Sequence, residues 1–231
     1  MRNSECGVRN VDKRVHRIAP YIDHTLLKST TTEAEICKLC DEALQYGFAS
    51  VCVPPCYVNA AANGKKNLTV GTVIGFPLGY NTSAVKVKEA LTAREDGASE
   101  VDMVINRGWI KDRNYLRVVQ EVQSVVQAVP ELVIKVILEL CELTLEEKRE
   151  TARALLESGA HFLKTSTGFG RCGAAIEDVR LLSGIAGGRM KVKAAGGIMH
   201  AEEALALIAA GASRIGTSSG VQMVREELSA S

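Results

Sequence analysis

Strand-like and helix-like stretches alternate along almost the whole chain, and this alternation limits the fold more than any other feature of the sequence. Short apolar runs rich in β-branched residues are typical of strands, and amphipathic segments separate them. The runs lie near residues 21–24, 48–53, 69–75, 99–105, 132–139, 161–165, 190–194 and 212–217. Strict alternation predicts parallel strands joined by right-handed crossovers. Eight such units within 231 residues predict an α/β fold, a single-domain (β/α)8 TIM barrel, with an open doubly wound sheet as the alternative.

The ends of the helical segments carry signals of their own. Thr32-x-x-Glu35 and Thr144-x-x-Glu147 match the capping box, in which two side chains satisfy free backbone groups at a helix start. Four glycines stand between a helical segment and the next strand, and we expect each to take the left-handed conformation that ends a helix. They are Gly47, Gly97, Gly159 and Gly211.

Composition excludes several classes of protein. With 28 Lys+Arg against 27 Asp+Glu, the net charge of +1 gives no electrostatic footprint for general nucleic-acid binding. No apolar run approaches the ~18 residues of a membrane span, and the first twenty residues lack the apolar core of a signal peptide. We therefore predict a cytoplasmic protein with no nucleic-acid or membrane partner. Residues 1–18 are interpreted as a short basic N-terminal arm and residues 19–231 as the barrel.

The cysteines favour reduced thiols, because seven is an odd number for a disulfide framework. The spacing of Cys37, Cys40, Cys52 and Cys56 allows a structural zinc site as an alternative. However, Cys37 and Cys40 share a helical face with apolar residues, and Cys52 lies inside a strand-like run. We interpret them as small packing residues, expect no metal, and keep Cys52 as a candidate pocket thiol.

Charged residues occur inside four of the strand-like runs, where a buried charge is costly unless it is paired or lies in a functional cavity. Those expected to face the interior together are Asp102, Lys135, Lys164 and Lys193. One interpretation is an internal salt-bridge network. The other is chemical, because a cation beside a lysine in apolar surroundings lowers the lysine's pKa and yields the neutral amine that forms a Schiff base. A carboxylate such as Asp102 would then transfer protons.

Glycine-rich turns follow the last three strand-like runs. They span residues 165–168, 196–197 and 216–220, and the last opens a helical segment over 221–228. In barrels, the loops after strands seven and eight commonly bind phosphate together with a helix N-terminus. These turns predict a phosphate site. A noncatalytic barrel that binds a sugar phosphate is an alternative, but it does not explain a function for Lys164, Lys193 and Asp102.

One motif points to a different class of enzyme. Gly168-Phe-Gly170-Arg-Cys-Gly173 matches G-x-G-x-x-G, so a nicotinamide-dependent oxidoreductase is a second alternative. That fingerprint needs an acidic residue about 20 positions on, where this chain has Lys191 and Lys193. It would also normally lie in the first βα turn, and here it lies in the sixth.

Six segments of the chain match a known family in the same order: 21–28, 47–53, 73–79, 97–106, 162–169 and 192–198. In these segments the chain resembles the deoxyribose-phosphate aldolases, which are class I aldolases, and the similarity extends from about residue 20 to 225. The resemblance implies a (β/α)8 barrel that reversibly cleaves 2-deoxy-D-ribose 5-phosphate into acetaldehyde and D-glyceraldehyde 3-phosphate. It implies no metal or organic cofactor, and it implies a homodimer.

The same resemblance assigns roles to individual residues. Lys164 would form the Schiff base, Lys193 would perturb its pKa and join a proton relay, and Asp102 would be the carboxylate of that relay. The residues assigned to the substrate and its phosphate are Asp23, Thr25, Cys52, Lys135, Thr167, Gly168, Gly196, Gly197, Ser218 and Ser219.

The chain departs from the family pattern away from these lysines. Pro54 replaces a usual Asn, Leu140 a common Thr, and Met199-His200 a common Arg-Thr pair. We expect these changes to affect contacts at the pocket edge and the preference for aldehydes. Some relatives also use a tyrosine at the chain end, which residues 226–231 lack, so protonation by such a residue must be absent or come from water.

Overall fold

Each of the eight strand-like runs overlaps a β-strand in the computed structural model, which describes residues 17–63 and 65–229. The strands are β1 Ile22–Thr25, β2 Ser50–Val53, β3 Val70–Ile74, β4 Glu100–Val104, β5 Val133–Ile137, β6 Phe162–Lys164, β7 Lys191–Ala195 and β8 Arg214–Thr217. They pair in chain order, every pair is parallel, and β8 closes the sheet against β1. The closed sheet confirms the predicted single-domain (β/α)8 barrel and excludes the open doubly wound sheet.

Helices follow every strand, and two follow β4. Those within the described residues are α1 Glu33–Tyr46, α2 Val58–Ala62, α3 Ser83–Glu95, α4 Arg107–Lys111, α5 Tyr115–Ala128, α6 Leu145–Leu155, α7 Ile176–Ala186, α8 Ala201–Ala209 and α9 Gly220–Ser229. Short 3₁₀ turns cover Ala19–Tyr21, Pro55–Tyr57 and Leu140–Glu142. None of the helices in the described ranges is long and apolar enough to cross a membrane.

The helix boundaries follow the sequence signals. Both predicted capping boxes form: the backbone N–H of Thr32 donates to Glu35 at 2.8 Å, and that of Thr144 donates to Glu147 at 2.7 Å. The four glycines have φ values between +69° and +113°, which costs an L side chain about 1 kcal/mol or more. The left-handed conformation predicted at all four positions is confirmed.

Alternation along the strands separates an apolar layer from a polar interior. In β4, Val101 and Met103 are fully buried and belong to the apolar core shared with the helices. Glu100 and Asp102 alternate with them, so both carboxylates lie on the opposite, inward face. Because side chains of a strand alternate between its two faces, the charged residues lie inside the barrel, and the apolar core forms between the strands and the surrounding helices.

The predicted N-terminal arm, residues 1–18, lies almost entirely outside the described residues and stays a prediction. Arg17 is exposed, whereas Ile18 is fully buried in the apolar core beside Ala19.

A buried ion pair that sequence reasoning missed joins α3 to α5. The Nζ of Lys86 donates to Glu121 at 2.8 Å, to the carbonyl of Gly79 at 2.7 Å and to that of Val104 at 2.8 Å. Both side chains of the pair are 0% exposed. Burial lowers the pKa of Lys86 and raises that of Glu121 in spite of their mutual attraction. Each charge is therefore tolerated only because its partner is present.

Removing one partner should cost much more stability than removing both. We expect Lys86→Met to lower the free energy of unfolding by about 3–5 kcal/mol, because Glu121 would keep a buried, unpaired charge. The double variant Lys86→Met/Glu121→Leu should lose clearly less than the sum of the two single changes. Denaturant titration measures both, with the exposed Lys88→Met on the same helix as control. Additive losses would contradict a coupled pair.

Candidate active site

The barrel interior collects charged side chains from six strands. Four are cations and three are carboxylates: Lys135, Lys164, Lys193 and Arg214, with Asp23, Glu100 and Asp102. All except Arg214 are at most 4% exposed in their side chains. If every group were ionised, one positive charge would be left uncompensated in a buried site, and such a charge is costly.

Asp102 is the centre of this cluster. Its Oδ2 accepts hydrogen bonds from the Nζ atoms of Lys164 and Lys193, each at 2.7 Å, and its Oδ1 accepts one from Lys135 at 3.0 Å. The register helps to bring these groups together, because Asp102 is paired with Lys135 across β4 and β5, and Lys164 with Lys193 across β6 and β7. The expectation that these four residues meet inside the barrel is confirmed.

A second group of contacts lies around Asp23. Its Oδ2 is 2.5 Å from Lys193 and 3.6 Å from Lys135, and its Oδ1 accepts a hydrogen bond from Arg214. Glu100 binds Lys135 at 2.5 Å and Arg214 at 3.1 Å. Sequence analysis missed Glu100 and Arg214, although the spacing of Glu100 and Asp102 by two in one strand was a signal that both face inward.

These contacts shift the pKa values of the three lysines in different directions. Burial lowers the pKa of Lys164, and the charge of Lys193 lowers it further against the attraction of Asp102. Burial also acts to lower the pKa of Lys193 and of Lys135, but the carboxylates, Asp102 foremost, outweigh it and raise both. Lys164 is therefore the interior lysine that gives up its proton most readily.

The two aspartates of the site keep their charge in this setting. Burial acts to raise the pKa of Asp102, but the surrounding lysines hold it well below its ordinary range. The pKa of Asp23 is lowered in the same way, with Lys193 the largest favourable contributor. Loss of the proton from Lys164 would leave three cations beside three carboxylate side chains.

A cavity of about 350 Å³ opens at the carboxyl ends of the strands. Lys164 lines it, and no other interior lysine of the described chain does. Seven of the residues assigned to the substrate line it too: Thr25, Thr167, Gly168, Gly196, Gly197, Ser218 and Ser219. Three do not, because Asp23, Lys135 and Cys52 are buried inside the barrel.

One side of the cavity is suited to an anion. Gly196 and Gly197 have φ values of +90° and +73°, and a Cβ on Gly197 would meet no atom within 4 Å, so the backbone there borders open space. Ser218 and Ser219 lie directly before α9, whose N-terminus offers free N–H groups and a favourable dipole. The loops predicted to bind phosphate thus line the same cavity, and Gly196, Gly197, Ser218 and Ser219 are called its phosphate wall below.

A strained glutamate supports another part of the wall. Glu139 has φ +55° and is 1% exposed, and it accepts hydrogen bonds from the N–H of Thr167 at 3.3 Å and from its hydroxyl. Thr167 lines both the cavity of Lys164 and a neighbouring one of about 480 Å³ that contains none of the interior lysines. Sequence analysis did not assign Glu139 to the site.

Of the four cysteines interpreted as packing residues, Cys40 and Cys52 are buried as predicted, whereas the prediction is wrong for the exposed Cys37 and Cys56. Cys52 is 2% exposed, and burial raises the pKa of its thiol to about 11, so it is held protonated and away from the cavity wall. Cys37 and Cys56 are exposed, whereas Cys40 is buried. Within residues 17–63 and 65–229, no group of three or more His, Cys, Asp or Glu residues could hold a metal ion.

The G-x-G-x-x-G motif has a packing explanation. It occupies the loop between β6 and α7, and α7 begins only at Ile176, three residues beyond the last glycine. A Cβ on Gly173 would lie 2.0 Å from the carbonyl oxygen of Gly196. The close approach of two loops therefore requires this glycine, which removes the support for a nicotinamide site.

Of the four departures from the family pattern, only Met199 lines the cavity of Lys164. Met199 is 54% exposed and lines it. His200 precedes α8 and contacts Glu226 at 3.0 Å, while Leu140 is buried. Pro54 borders a separate small cavity.

Comparisons with known proteins agree with this geometry. A family model described as DeoC/LacD family aldolase matches residues 17–230. A deoxyribose-phosphate aldolase of Thermococcus gammatolerans is 54% identical over 213 residues, covering 90% of this chain and 95% of the relative. The solved structure of QR15, an aldolase, has TM-score 0.89 and 44% identity, covering 92% of this chain and 96% of that one. The tetrameric deoxyribose phosphate aldolase of Aeropyrum pernix has TM-score 0.86 and 34% identity, covering 93% and 92%.

Proposed function

The chain belongs to the DeoC/LacD aldolase family, and we propose that it reversibly cleaves 2-deoxy-D-ribose 5-phosphate into acetaldehyde and D-glyceraldehyde 3-phosphate. The observation that carries the proposal is the position of Lys164. It is the interior lysine that borders the cavity, and its pKa is lowered by burial and by Lys193. A neutral amine at the base of an anion-binding cavity is what a class I aldolase requires.

In the proposed cycle, the unprotonated Nζ of Lys164 adds to the aldehyde carbon of the open-chain sugar, and the resulting carbinolamine loses water to form a protonated imine. Loss of the proton from the C3 hydroxyl then breaks the C2–C3 bond. The oxygen lone pair forms the aldehyde of glyceraldehyde 3-phosphate, and the electrons of the broken bond move to the imine and give an enamine. Protonation at C2 and addition of water release acetaldehyde and the free amine.

Asp102 and Lys193 are proposed as the proton relay of this cycle. The carboxylate of Asp102 is 2.7 Å from the Nζ of Lys164, within reach for general acid–base catalysis. Lys193 binds the same oxygen at 2.7 Å and retains its charge because of Asp102 and Asp23. We propose that its charge lowers the pKa of Lys164 and that its hydrogen bond to Asp102 connects it to the carboxylate that transfers the protons.

The remaining proposed contacts divide into two groups. Gly196, Gly197, Ser218 and Ser219 are proposed to hold the phosphate, because they form the wall beside the N-terminus of α9. For Asp23, Lys135 and Cys52, burial away from the cavity supports an indirect role, in which they set the charge and packing around Asp102.

The direct test is a cleavage assay with purified protein. We expect acetaldehyde and D-glyceraldehyde 3-phosphate in equal amounts from 2-deoxy-D-ribose 5-phosphate, at a rate that neither a chelator nor the omission of nicotinamide changes. Saturable binding of the sugar phosphate without any product would instead support the noncatalytic barrel. A strict requirement for nicotinamide would support the oxidoreductase.

The homodimer and the cytoplasmic location implied at the outset stay predictions. The relative from Aeropyrum pernix is tetrameric, so the measurement must distinguish a dimer from a tetramer. Light scattering of the purified chain measures its oligomeric state.

A further inference from the structure

Among the described residues, two lysines line the cavity, Lys28 and Lys164, and only Lys164 belongs to the proposed catalytic machinery. Lys28, in the loop between β1 and α1, lines the same cavity from its exposed rim. Within the described chain, the lining includes no Asp or Glu. Met199, which also borders the rim, carries no charge.

The ammonium group of Lys28 is available for a ligand. Among the described residues it forms no salt bridge within 4.0 Å. The nearby carboxylate of Glu35 attracts Lys28 only weakly, and its Oε2 already accepts hydrogen bonds from the N–H of Thr32 at 2.8 Å and from the Thr32 hydroxyl at 2.9 Å. The backbone of Lys28 is fixed, because its carbonyl accepts a hydrogen bond from the N–H of Thr31 at 3.1 Å.

The phosphate wall needs such a charge. A phosphate monoester carries about −1.5 to −2 at neutral pH, whereas a helix N-terminus contributes only about half a positive charge. The serines and glycines of this wall are neutral, and Lys164 at the base of the cavity is paired with Asp102 and proposed to react with the aldehyde. Without a further cation, much of the charge of the anion would be uncompensated.

We propose that Lys28 is a specificity-determining residue, which selects phosphorylated over unphosphorylated substrates by compensating the charge of the phosphate. This inference rests on the proposed function and deepens it. It assigns the preference for a phosphate to the β1–α1 loop, at the exposed rim of the cavity.

The test compares two sugars in matched variants. For Lys28→Met, kcat/KM for 2-deoxy-D-ribose 5-phosphate should fall about tenfold through KM, the effect of one lost charge-assisted contact. The value for unphosphorylated 2-deoxy-D-ribose should stay within about twofold of the starting protein. Lys28→Arg should retain the preference. Lys38→Met is the control, because it removes the same charge from the solvent-exposed face of α1, where the lysine side chain is 77% exposed.

Inorganic phosphate provides a second readout that does not depend on sugar chemistry. It should inhibit the Lys28→Met variant about tenfold more weakly than the Lys38→Met control. Acetaldehyde-dependent borohydride trapping of Lys164 should be the same in both variants. An unchanged preference for the phosphorylated sugar in Lys28→Met, with normal trapping, would overturn the role of Lys28 and leave the proposed function intact. Absence of trapping and of cleavage in the starting protein would overturn both.

Discussion

Replacing Lys164 with methionine should abolish cleavage of 2-deoxy-D-ribose 5-phosphate, with a loss on the order of 10⁴-fold or more in kcat. Methionine keeps a long apolar side chain but has no amine, so neither carbinolamine nor imine can form. Asp102 still has Lys135 and Lys193 as partners at 3.0 and 2.7 Å, so the buried carboxylate does not lose all its compensation. The product assay measures the loss, and circular dichroism checks that the variant is folded.

The matched control is Lys191→Met. Lys191 is an exposed lysine at the first residue of β7, over the ring of Phe162, and it does not line the cavity. Its activity should stay within about twofold of the starting protein. Substantial cleavage by a folded Lys164→Met variant would show that the imine forms elsewhere or not at all.

The second large effect concerns the pH dependence of Lys193→Met. The charge of Lys193 helps to keep the pKa of Lys164 low. Its removal should raise that pKa, so that the neutral amine is present only at higher pH. We expect kcat/KM to fall about 10²–10⁴-fold near neutral pH, and the acid limb of the pH–rate profile to move to higher pH. Part of the loss should be recovered in alkaline solution.

This pH shift separates an electrostatic role from a structural one. A residue that only maintains packing would lower the rate by the same factor at every pH. Lys193→Arg retains a cation beside Asp102 and Asp23, and its acid limb should stay near that of the starting protein. An acid limb that stays in place or moves to lower pH in Lys193→Met would contradict the proposed effect on Lys164.

The fold could be predicted because its signals are local and repeat. Every unit has an apolar strand followed by a helical segment, and four of the helical segments end at one of the predicted glycines, such as Gly47 or Gly97. These signals predict the number and order of the elements, whereas the closure of the sheet follows from the pairing of β8 with β1. The convergence of Asp102 with the lysines followed from the same logic, because strand ends of a barrel meet at one face.

The partners of these groups were harder to predict, since they depend on register and on contacts between distant segments. Arg214 binds Glu100 across 114 positions of the chain, and Glu139 reaches Thr167 through a left-handed backbone conformation that the sequence does not indicate. The sequence contains a signal for Lys86 and a signal for Glu121, but it does not show that these two residues contact each other. Each interrupts an otherwise buried helix face, and their contact depends on how α3 packs on α5.

Some residues assigned to the substrate do not line the cavity. Alternation along a strand determines whether a side chain faces the barrel interior, but it does not determine the position of that side chain along the barrel axis. Lys135 faces inward as predicted, and so does Asp23, which the resemblance assigned to the substrate pocket. Both contact the other charged groups and do not line the cavity. Cys52 faces the same interior and is covered by its neighbours. Depth along the barrel axis depends on the stagger between strands, which the sequence pattern does not contain.

Reductive trapping tests the central assignment most directly. The protein is incubated with acetaldehyde, reduced with borohydride, digested and analysed by peptide mass spectrometry. We predict one ethyl group on the Nζ of Lys164, no modification of Lys193 or Lys135, and loss of cleavage in proportion to labelling. An unmodified Lys164 in a protein that cleaves 2-deoxy-D-ribose 5-phosphate would contradict the Schiff-base mechanism.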